Sequence, residues 1–362
     1  MKRDTNLNDL REKIRDIDAT LLDLIAKRQD LARQVGQEKL AANIPIKNEK
    51  VEKEVLASVR QKADEIGIYE DLAEEVFRTL IDYSCKAQED YQYQSNRKVP
   101  PPDKKILIVG GGGRMGQWFA RFLVEHGHDI RVHDLRKPAH DLGESLREAH
   151  IVILATPISE TANLIRLISK SGTKALVFDA CSIKAPILEA IAEAKSAGIR
   201  ITSIHPLFGP QVTSLAGRNI LFCQTGNDEW TEEASSLFCT SAAAFKFLPL
   251  EKHDDYMGYI LGLSHLINLI FSGVLADSGS PFSEFASTGS TTFNAQAKVS
   301  AMVSRENQDL YYEIQVANSA TGKILKGLKE VLESYTDRIT RQDKEGFKKL
   351  MDKGNRYFTG GG

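Results

Sequence analysis

With 47 basic against 49 acidic side chains in 362 residues, the chain is close to neutral and long enough for two or three cores. Nothing in that balance points to a polyanion binder, so no nucleic-acid partner is expected. The four cysteines (Cys85, Cys181, Cys223, Cys239) lack C-x-x-C spacing and any histidine grouping. No metal site or disulfide framework is therefore indicated, and a reduced, cytoplasmic protein fits.

The first ninety residues read as three helices. Leu7, Leu10, Ile14, Ile17, Leu21, Leu24, Leu31 and Val35 follow steps of three and four, a helical seam. Between Leu24 and Leu31 the pattern lands on Arg28, which is costly in an apolar seam unless an anion meets it. Asn43-Ile44-Pro45 breaks this helix. A second helix is expected over 48–66, with Val51, Val55, Val59 and Ala63 on its apolar face and Gly67 ending it. A third starts near Glu70. Its stripe of Leu72, Val76 and Leu80 continues into Ser84 and Gln88, polar groups where the pattern calls for apolar ones. Arg11 and Arg28 are 17 residues apart, about 25 Å along one helix. They cannot grip one small ligand from a single chain; if both serve one pocket, a second subunit supplies Arg11 and the helices interleave as a dimer.

Leu10-Arg11-Glu12-Lys13-Ile14, Ala26-Lys27-Arg28, Val35-Gly36-Gln37-Glu38-Lys39, Glu52, and Ser84 with Gln88 resemble the all-helical chorismate mutase family over residues of about 5 to 92. The resemblance implies that Arg28, and Arg11 from a partner chain, hold the two carboxylates of chorismate. It implies that Lys39 and Gln88 contact the ether oxygen whose bond breaks, Glu52 the ring hydroxyl, and Ser84 a carboxylate. A pericyclic rearrangement needs no nucleophile, only donors that select a compact conformer and stabilise charge on that oxygen. Two positions depart from the family: Val51 stands where related mutases often carry an arginine, and Asn48 where they carry an aspartate. Val51 reads as packing, and Lys47 or Lys50 is available to replace the lost charge. The alternative for these helices is a non-catalytic module that senses chorismate or an aromatic amino acid.

Residues 94–104 form a linker, with three consecutive prolines that make a stiff, extended spacer. Ile106-Leu107-Ile108-Val109 then feeds into glycines, with Gly111, Gly113 and Gly116 in G-x-G-x-x-G register and Arg114 and Met115 opening a helix. A strand over 129–133 leads to Asp134, 18 residues after Gly116. In this context Gly111 permits the tight turn, Gly113 lets backbone approach a pyrophosphate, and Gly116 brings helix and strand together. Phosphates would sit on free amides at the helix N-terminus. Asp134 would take the ribose hydroxyls, favouring NAD over NADP, although Arg136 and Lys137 stand close enough to reach a 2′-phosphate.

Further strands are expected at 150–156, 175–180, 200–205, 220–225 and 245–250. Helices at 143–149 (short), 160–170, 186–197 and 230–242 separate them. This alternation means a mostly parallel, doubly wound α/β sheet, with ligands bound outside the carboxyl ends of its strands. There the chain places Thr156-Pro157, Asp179-Ala180-Cys181-Ser182-Ile183-Lys184 and His205-Pro206-Leu207-Phe208-Gly209-Pro210.

The glycine fingerprint, these three strand ends, His253-Asp254, and Leu263-Ser264-His265 resemble prephenate dehydrogenase over 104 to about 320. With the helices ahead of it, the chain resembles the bifunctional chorismate mutase–prephenate dehydrogenase family. The implied organisation is a helical mutase domain (1–93), the linker (94–104), a Rossmann-like NAD-binding domain (105–250) and an all-α substrate and dimerisation domain (251–362). The implied chemistry makes His205 the base that accepts the ring-hydroxyl proton of prephenate as hydride leaves the same carbon. Ser182 orients His205 and the hydroxyl, and Thr156 and Pro157 line the nicotinamide pocket. Lys184 and His265 stand as substrate-binding residues. Decarboxylation then aromatises the ring without a metal. Relatives carry an arginine where this chain has Ser264, with Lys298 and Arg305 as replacements. Arogenate therefore stays open as a substrate, and another hydroxyacid or imine reductase is the more distant alternative.

After 251 the chain reads as helical to about 357, with a Ser/Thr/Gly run over 286–292. The segment 256–276 has no charged residue and is long enough to cross a bilayer. Its polar Ser264, His265, Asn268 and Ser272 favour a helix buried in a protein interface, a homodimer core with no membrane partner.

Overall fold

The computed structural model describes residues 2–42, 44, 46–96, 104–134, 141–212, 214–239 and 241–360. The chain packs as two units, Met1–Cys181 with Glu189–Leu250 and Ser182–Leu188 with Glu251–Gly362.

In the first unit α1 (Lys2–Ala41) is one unbroken helix of 40 residues, followed by α2 (Glu49–Ile66) and α3 (Glu70–Asn96). Asn43 and Pro45 of the expected break lie outside the described residues. Asn48 caps α2, its side chain accepting the backbone N–H of Lys50 at 3.1 Å and of Val51 at 3.2 Å. A capping amide contributes about 1 kcal/mol. Gly67 ends the helix at φ 70, a left-handed conformation that costs a side-chain-bearing residue more. α3 runs to Asn96, past the linker start expected at 94, and 97–103 lie outside the described residues. Val51 is 49% exposed, so it does not pack within the chain as its helical period suggested; of the expected stripe Val51, Val55, Val59 and Ala63, the last alone is fully buried, while Leu56 is buried beside it. The α1 seam residues are exposed along their whole length, from Leu7 to Val35.

The α/β part follows in the same unit. Its strands are β1 (Lys105–Val109), β2 (Asp129–His133), β3 (Ile151–Leu154), β4 (Leu176–Asp179), β5 (Ile201–Pro206), β6 (Asn219–Gln224) and β7 (Ala244–Pro249). Between them stand α4 (Arg114–Glu125), α5 (Leu142–Glu148), α6 (Ile158–Ser169), α7 (Leu188–Ser196) and α8 (Asp228–Ser236). The sheet order is β2-β1-β3-β4-β5-β6-β7, parallel except where β6 runs antiparallel to β5. The fully buried strands β3 and β4 read as unbroken apolar runs, Ile151-Val152-Ile153-Leu154 and Leu176-Val177-Phe178, because both sheet faces are covered. Ile106, Ile108, Ile153, Phe178, Ile204 and Phe222 share one face and pack with Phe119 of α4 and Phe238.

The second unit is helical. α9 (His253–Met257) and α10 (Ser264–Ala276) flank a π-helical turn, Gly258–Leu263. α11 (Phe282–Thr288), α12 (Thr291–Val303), α13 (Gln308–Ala317), α14 (Thr321–Thr340) and α15 (Lys344–Phe358) complete it. The Ser/Thr/Gly run is thus mostly helical, interrupted only at Gly289 and Ser290. Gly258 has no room for a side chain, since a Cβ would come within 2.6 Å of Ile324 on α14. The helical run Leu250–Ala276 is long and apolar enough to span a bilayer by length and composition. Tyr256, Tyr259, Ile260, Ile270 and Val274 lie exposed along it.

Candidate active sites

The first candidate site lies among α1, α2 and α3. Arg28 Nη1 donates to the Leu80 carbonyl at 2.8 Å and to the Ser84 hydroxyl, so the seam arginine meets oxygens rather than apolar surface. Lys39 Nζ donates to the Ile46 carbonyl at 2.5 Å. Burial lowers the Lys39 pKa, while Cys85 and Glu52 oppose that shift. Burial, reinforced by Glu52, pushes the Cys85 thiol up to about 11. Gln88 is 6% exposed, and its Oε1 has no hydrogen-bond partner. An uncompensated buried amide oxygen costs about 1–3 kcal/mol, so this atom is poised for a ligand. Gly36 of α1 lies against it; a Cβ there would sit 3.1 Å from Gln88 Cα. The fold therefore gathers Arg28, Lys39, Glu52, Ser84 and Gln88. Arg11 it does not: the exposed Arg11 stands on the same unbroken helix as Arg28, 17 residues away. The seat at Gly36 and the wall at Cys85 were missed in the sequence, where only the V-G-Q-E-K pattern hinted at the former.

The second candidate site occupies the carboxyl edge of the sheet. β1 pairs with both β2 and β3, so the chain reverses direction across the sheet there, the place where such folds bind ligands. Gly110 adopts φ 85, and a Cβ on it would come within 2.6 Å of the Ala155 carbonyl and 2.7 Å of Thr156 Cγ2. The tight turn thus falls on Gly110, one residue before the glycine expected to make it. Gly111 instead packs on Val132, and a Cβ on Gly116 would collide with the Gly110 carbonyl. Gly112 faces the Asp134 carboxylate at the end of β2. Gly113 is the N-cap of α4 and offers no side-chain cap. Arg114 and Met115 form the first turn, where backbone N–H groups have no intrahelical acceptor. A cradle of bare backbone, free amides and a carboxylate one strand away fits a dinucleotide's pyrophosphate and ribose. Arg136 and Lys137 lie outside the described residues.

Thr156 and Pro157 close the neighbouring strand end. Thr156 Oγ1 lies 2.9 Å from Thr161 Oγ1, which donates to the Pro157 carbonyl at 2.9 Å. The Cys181 thiol reaches the same Thr161 hydroxyl at 3.2 Å. His205, 3% exposed, sits near the carboxyl end of β5, opposite Leu221 of β6. Since Ile204 faces the α4 core, strand alternation puts His205 on the other face with Ser203 and Asp179. The Ser203 hydroxyl is buried without a partner. Sequence reading overlooked it.

Ser182 and Lys184 belong to the second unit. There the Asp254 carboxylate accepts the backbone N–H of Lys184 at 2.8 Å and of Ala185 at 2.7 Å, and lies 2.7 Å from His253 Nδ1. Burial raises the Asp254 pKa, but the bonds from His253, Lys184 and Ala185 outweigh it and hold the carboxyl below its usual range. Lys184 is itself buried. His265 stacks on Tyr311 with ring centroids 4.1 Å apart, and burial lowers its pKa to about 4. Arg305 lines a cavity of about 310 Å³ with Phe271, Phe282 and Phe285; no such contact distinguishes Lys298.

Three family models match the chain. They describe chorismate mutase type II over 10–89, the nucleotide-binding domain of prephenate dehydrogenase over 124–244, and the dimerization domain of prephenate dehydrogenase over 249–353. The T-protein of Enterobacter agglomerans is 25% identical over 355 residues, covering 97% of this chain and 93% of the relative. A chorismate mutase of Methanocaldococcus jannaschii is 32% identical over 92 residues, 25% of this chain and 93% of that protein. Among solved structures, the prephenate dehydrogenase of A. aeolicus in complex with hydroxyphenyl propionate and NAD+ aligns with a TM-score of 0.56 at 16% identity. It covers 71% of this chain and 97% of that one, a likeness of fold.

Proposed function

We infer the roles of individual residues from one premise: the chain belongs to the bifunctional chorismate mutase–prephenate dehydrogenase family. It rearranges chorismate to prephenate and, with NAD, oxidatively decarboxylates prephenate to 4-hydroxyphenylpyruvate. The observation that carries this reading is the pairing, in one chain, of the Arg28–Ser84–Gln88 cluster with the bare-backbone cradle at Gly110–Gly116.

In the mutase site Arg28, steered by Ser84 and the Leu80 carbonyl, takes a carboxylate of chorismate. Arg11 of a second copy takes the other, and Glu52 the ring hydroxyl. Lys39 and Gln88 donate to the ether oxygen as its bond lengthens. The orphaned Gln88 amide supports this role, since its oxygen and nitrogen are interchangeable by rotation of the amide. Donors already fixed in place need no reorganisation when charge develops, which is where such a site gains its rate.

In the dehydrogenase site Gly111, Gly113, Arg114, Met115 and Gly116 hold the pyrophosphate, Asp134 the ribose, and Thr156 and Pro157 the nicotinamide end. NAD, when bound, supplies the two-electron acceptor. His205 takes the ring-hydroxyl proton and Ser182 orients it; Lys184 and His265 bind substrate. Loss of carbon dioxide is driven by aromatisation.

The exposed α1 seam and the apolar α10 face support a homodimer, and the polar groups within α10 favour protein rather than lipid as their cover. The four cysteines form no disulfide among the described residues, which supports a cytoplasmic setting. The three-domain division at 93, 104 and 250 remains our proposal. The test supplies chorismate and NAD together and follows prephenate and NADH, with prephenate and arogenate as separate substrates. NADH from prephenate but not arogenate supports the reading; chorismate left intact would refute its first half.

A further inference from the structure

The helical bundle is fastened to the α/β part by a buried carboxylate. Glu89 of α3 is 8% exposed. Ser214 Oγ donates to its Oε2 at 2.6 Å, the Leu215 backbone N–H to the same oxygen at 3.2 Å, and the Ala242 backbone N–H to Oε1 at 3.2 Å. Among the described residues no cation pairs with it. Ile46, Ile81 and Cys85 pack against Ala216 and Ala242 around this tether. Asp82 lies against Gly217, whose φ of 70 brings the loop backbone close.

Helical geometry divides α3 into two working faces. Successive residues turn by about 100°, so Asp82 and Glu89 face the α/β part and Ser84 and Gln88 face α1, with Cys85 between the two faces. Arg28 and Ser84 grip each other inside the bundle and do not need the tether. Gln88, immediately before Glu89, is pressed by Gly36 on one side and has no hydrogen bond of its own at Oε1. Its height and rotation are thus set by whatever holds the end of α3.

We propose that Glu89 is a positioning residue for the mutase reaction, fixing Gln88 against the breaking ether bond by anchoring α3 to the backbone of the nucleotide-binding domain. This rests on the role given to Gln88 above. Its consequence is that chorismate turnover depends on a contact made by the other enzyme in the same chain. Chorismate binding, governed by Arg28 and Ser84, does not depend on it. Nor does the loop after β5, which keeps a second anchor where Trp118 Nε1 donates to the Val212 carbonyl at 2.8 Å.

The experiment compares full-length Glu89→Leu and Glu89→Gln with the unaltered protein, measuring chorismate loss without NAD and NADH formation from prephenate on the same preparations. Glu89→Leu is expected to lower mutase kcat by roughly tenfold or more, with KM for chorismate and the dehydrogenase rate each within about twofold. Glu89→Gln keeps an acceptor for the two backbone amides and a donor for Ser214, and recovers kcat to within about threefold. Unchanged kcat in Glu89→Leu overturns the inference. So does parallel loss of both activities, which marks a purely structural tie, or a glutamine variant as slow as the leucine one. Unaltered protein that leaves chorismate untouched overturns the functional reading itself, and the inference with it.

Discussion

Arg28 on α1 and Ser84 on α3 are bound side chain to side chain across 56 residues of sequence, and the same guanidinium reaches the Leu80 carbonyl one turn earlier. A charge that would be misplaced in an apolar seam is thereby fixed in one orientation, ready for an anion. Arg28→Ala removes that anchor. Charge-assisted hydrogen bonds contribute about 1.5–3 kcal/mol, so mutase kcat/KM should fall by at least roughly tenfold, measured as chorismate loss. NADH formation from prephenate should be unaffected.

Because Arg11 cannot reach Arg28's pocket along an unbroken helix, the two arginines of one site come from different chains in our reading. Arg11→Ala and Arg28→Ala should each be poor mutases alone. Unfolded and refolded together, random pairing restores one intact site in half of the dimers, about a quarter of full activity. Mixtures that recover nothing would argue for sites built within single chains.

His205→Asn should abolish NADH formation while sparing chorismate turnover. A general base contributes about 10²–10⁴-fold, so residual dehydrogenase activity near the unaltered rate would refute its assignment.

At the cradle, Gly116→Ala would drive a methyl into the Gly110 carbonyl. The expected cost is about 1–3 kcal/mol of stability together with weakened NAD binding, read by thermal melting with and without the cofactor. Gly172→Ala tests the opposite case: no atom lies near, but φ is 64, so the loss comes from backbone strain alone. It should leave NAD affinity unchanged.

His265 yields a pH prediction. Burial holds its folded pKa at about 4, below the ordinary 6.5. The unfolded chain therefore binds the extra proton first as pH falls. The stability contribution is present above pH 6.5 and lost progressively down to about 4. His265→Phe keeps the stack on Tyr311 and should flatten this part of the melting-temperature profile; an unchanged acid limb would place the titration elsewhere.

Much of this architecture was readable from local pattern. Strand and helix alternation, the glycine register, the seam of α1 and the misfit arginine at position 28 all follow from periodicity and backbone sterics, which act over a few residues. Asn48 shows the same economy, since capping is decided within one turn. What pattern could not supply depends on residues far apart in sequence. Val51 has the right period for a core position yet is half exposed, because burial requires a neighbour that this chain does not place there. The tight turn moved from Gly111 to Gly110 because Ala155 and Thr156, some 45 residues later, leave no space for a side chain at 110. Glu89 carries no local signal in the sequence; its role depends on the fold bringing Ser214, Leu215 and Ala242 to it. Local sequence determines which elements form; only tertiary packing decides which polar atoms are stripped of water, and so which are left to act on a ligand.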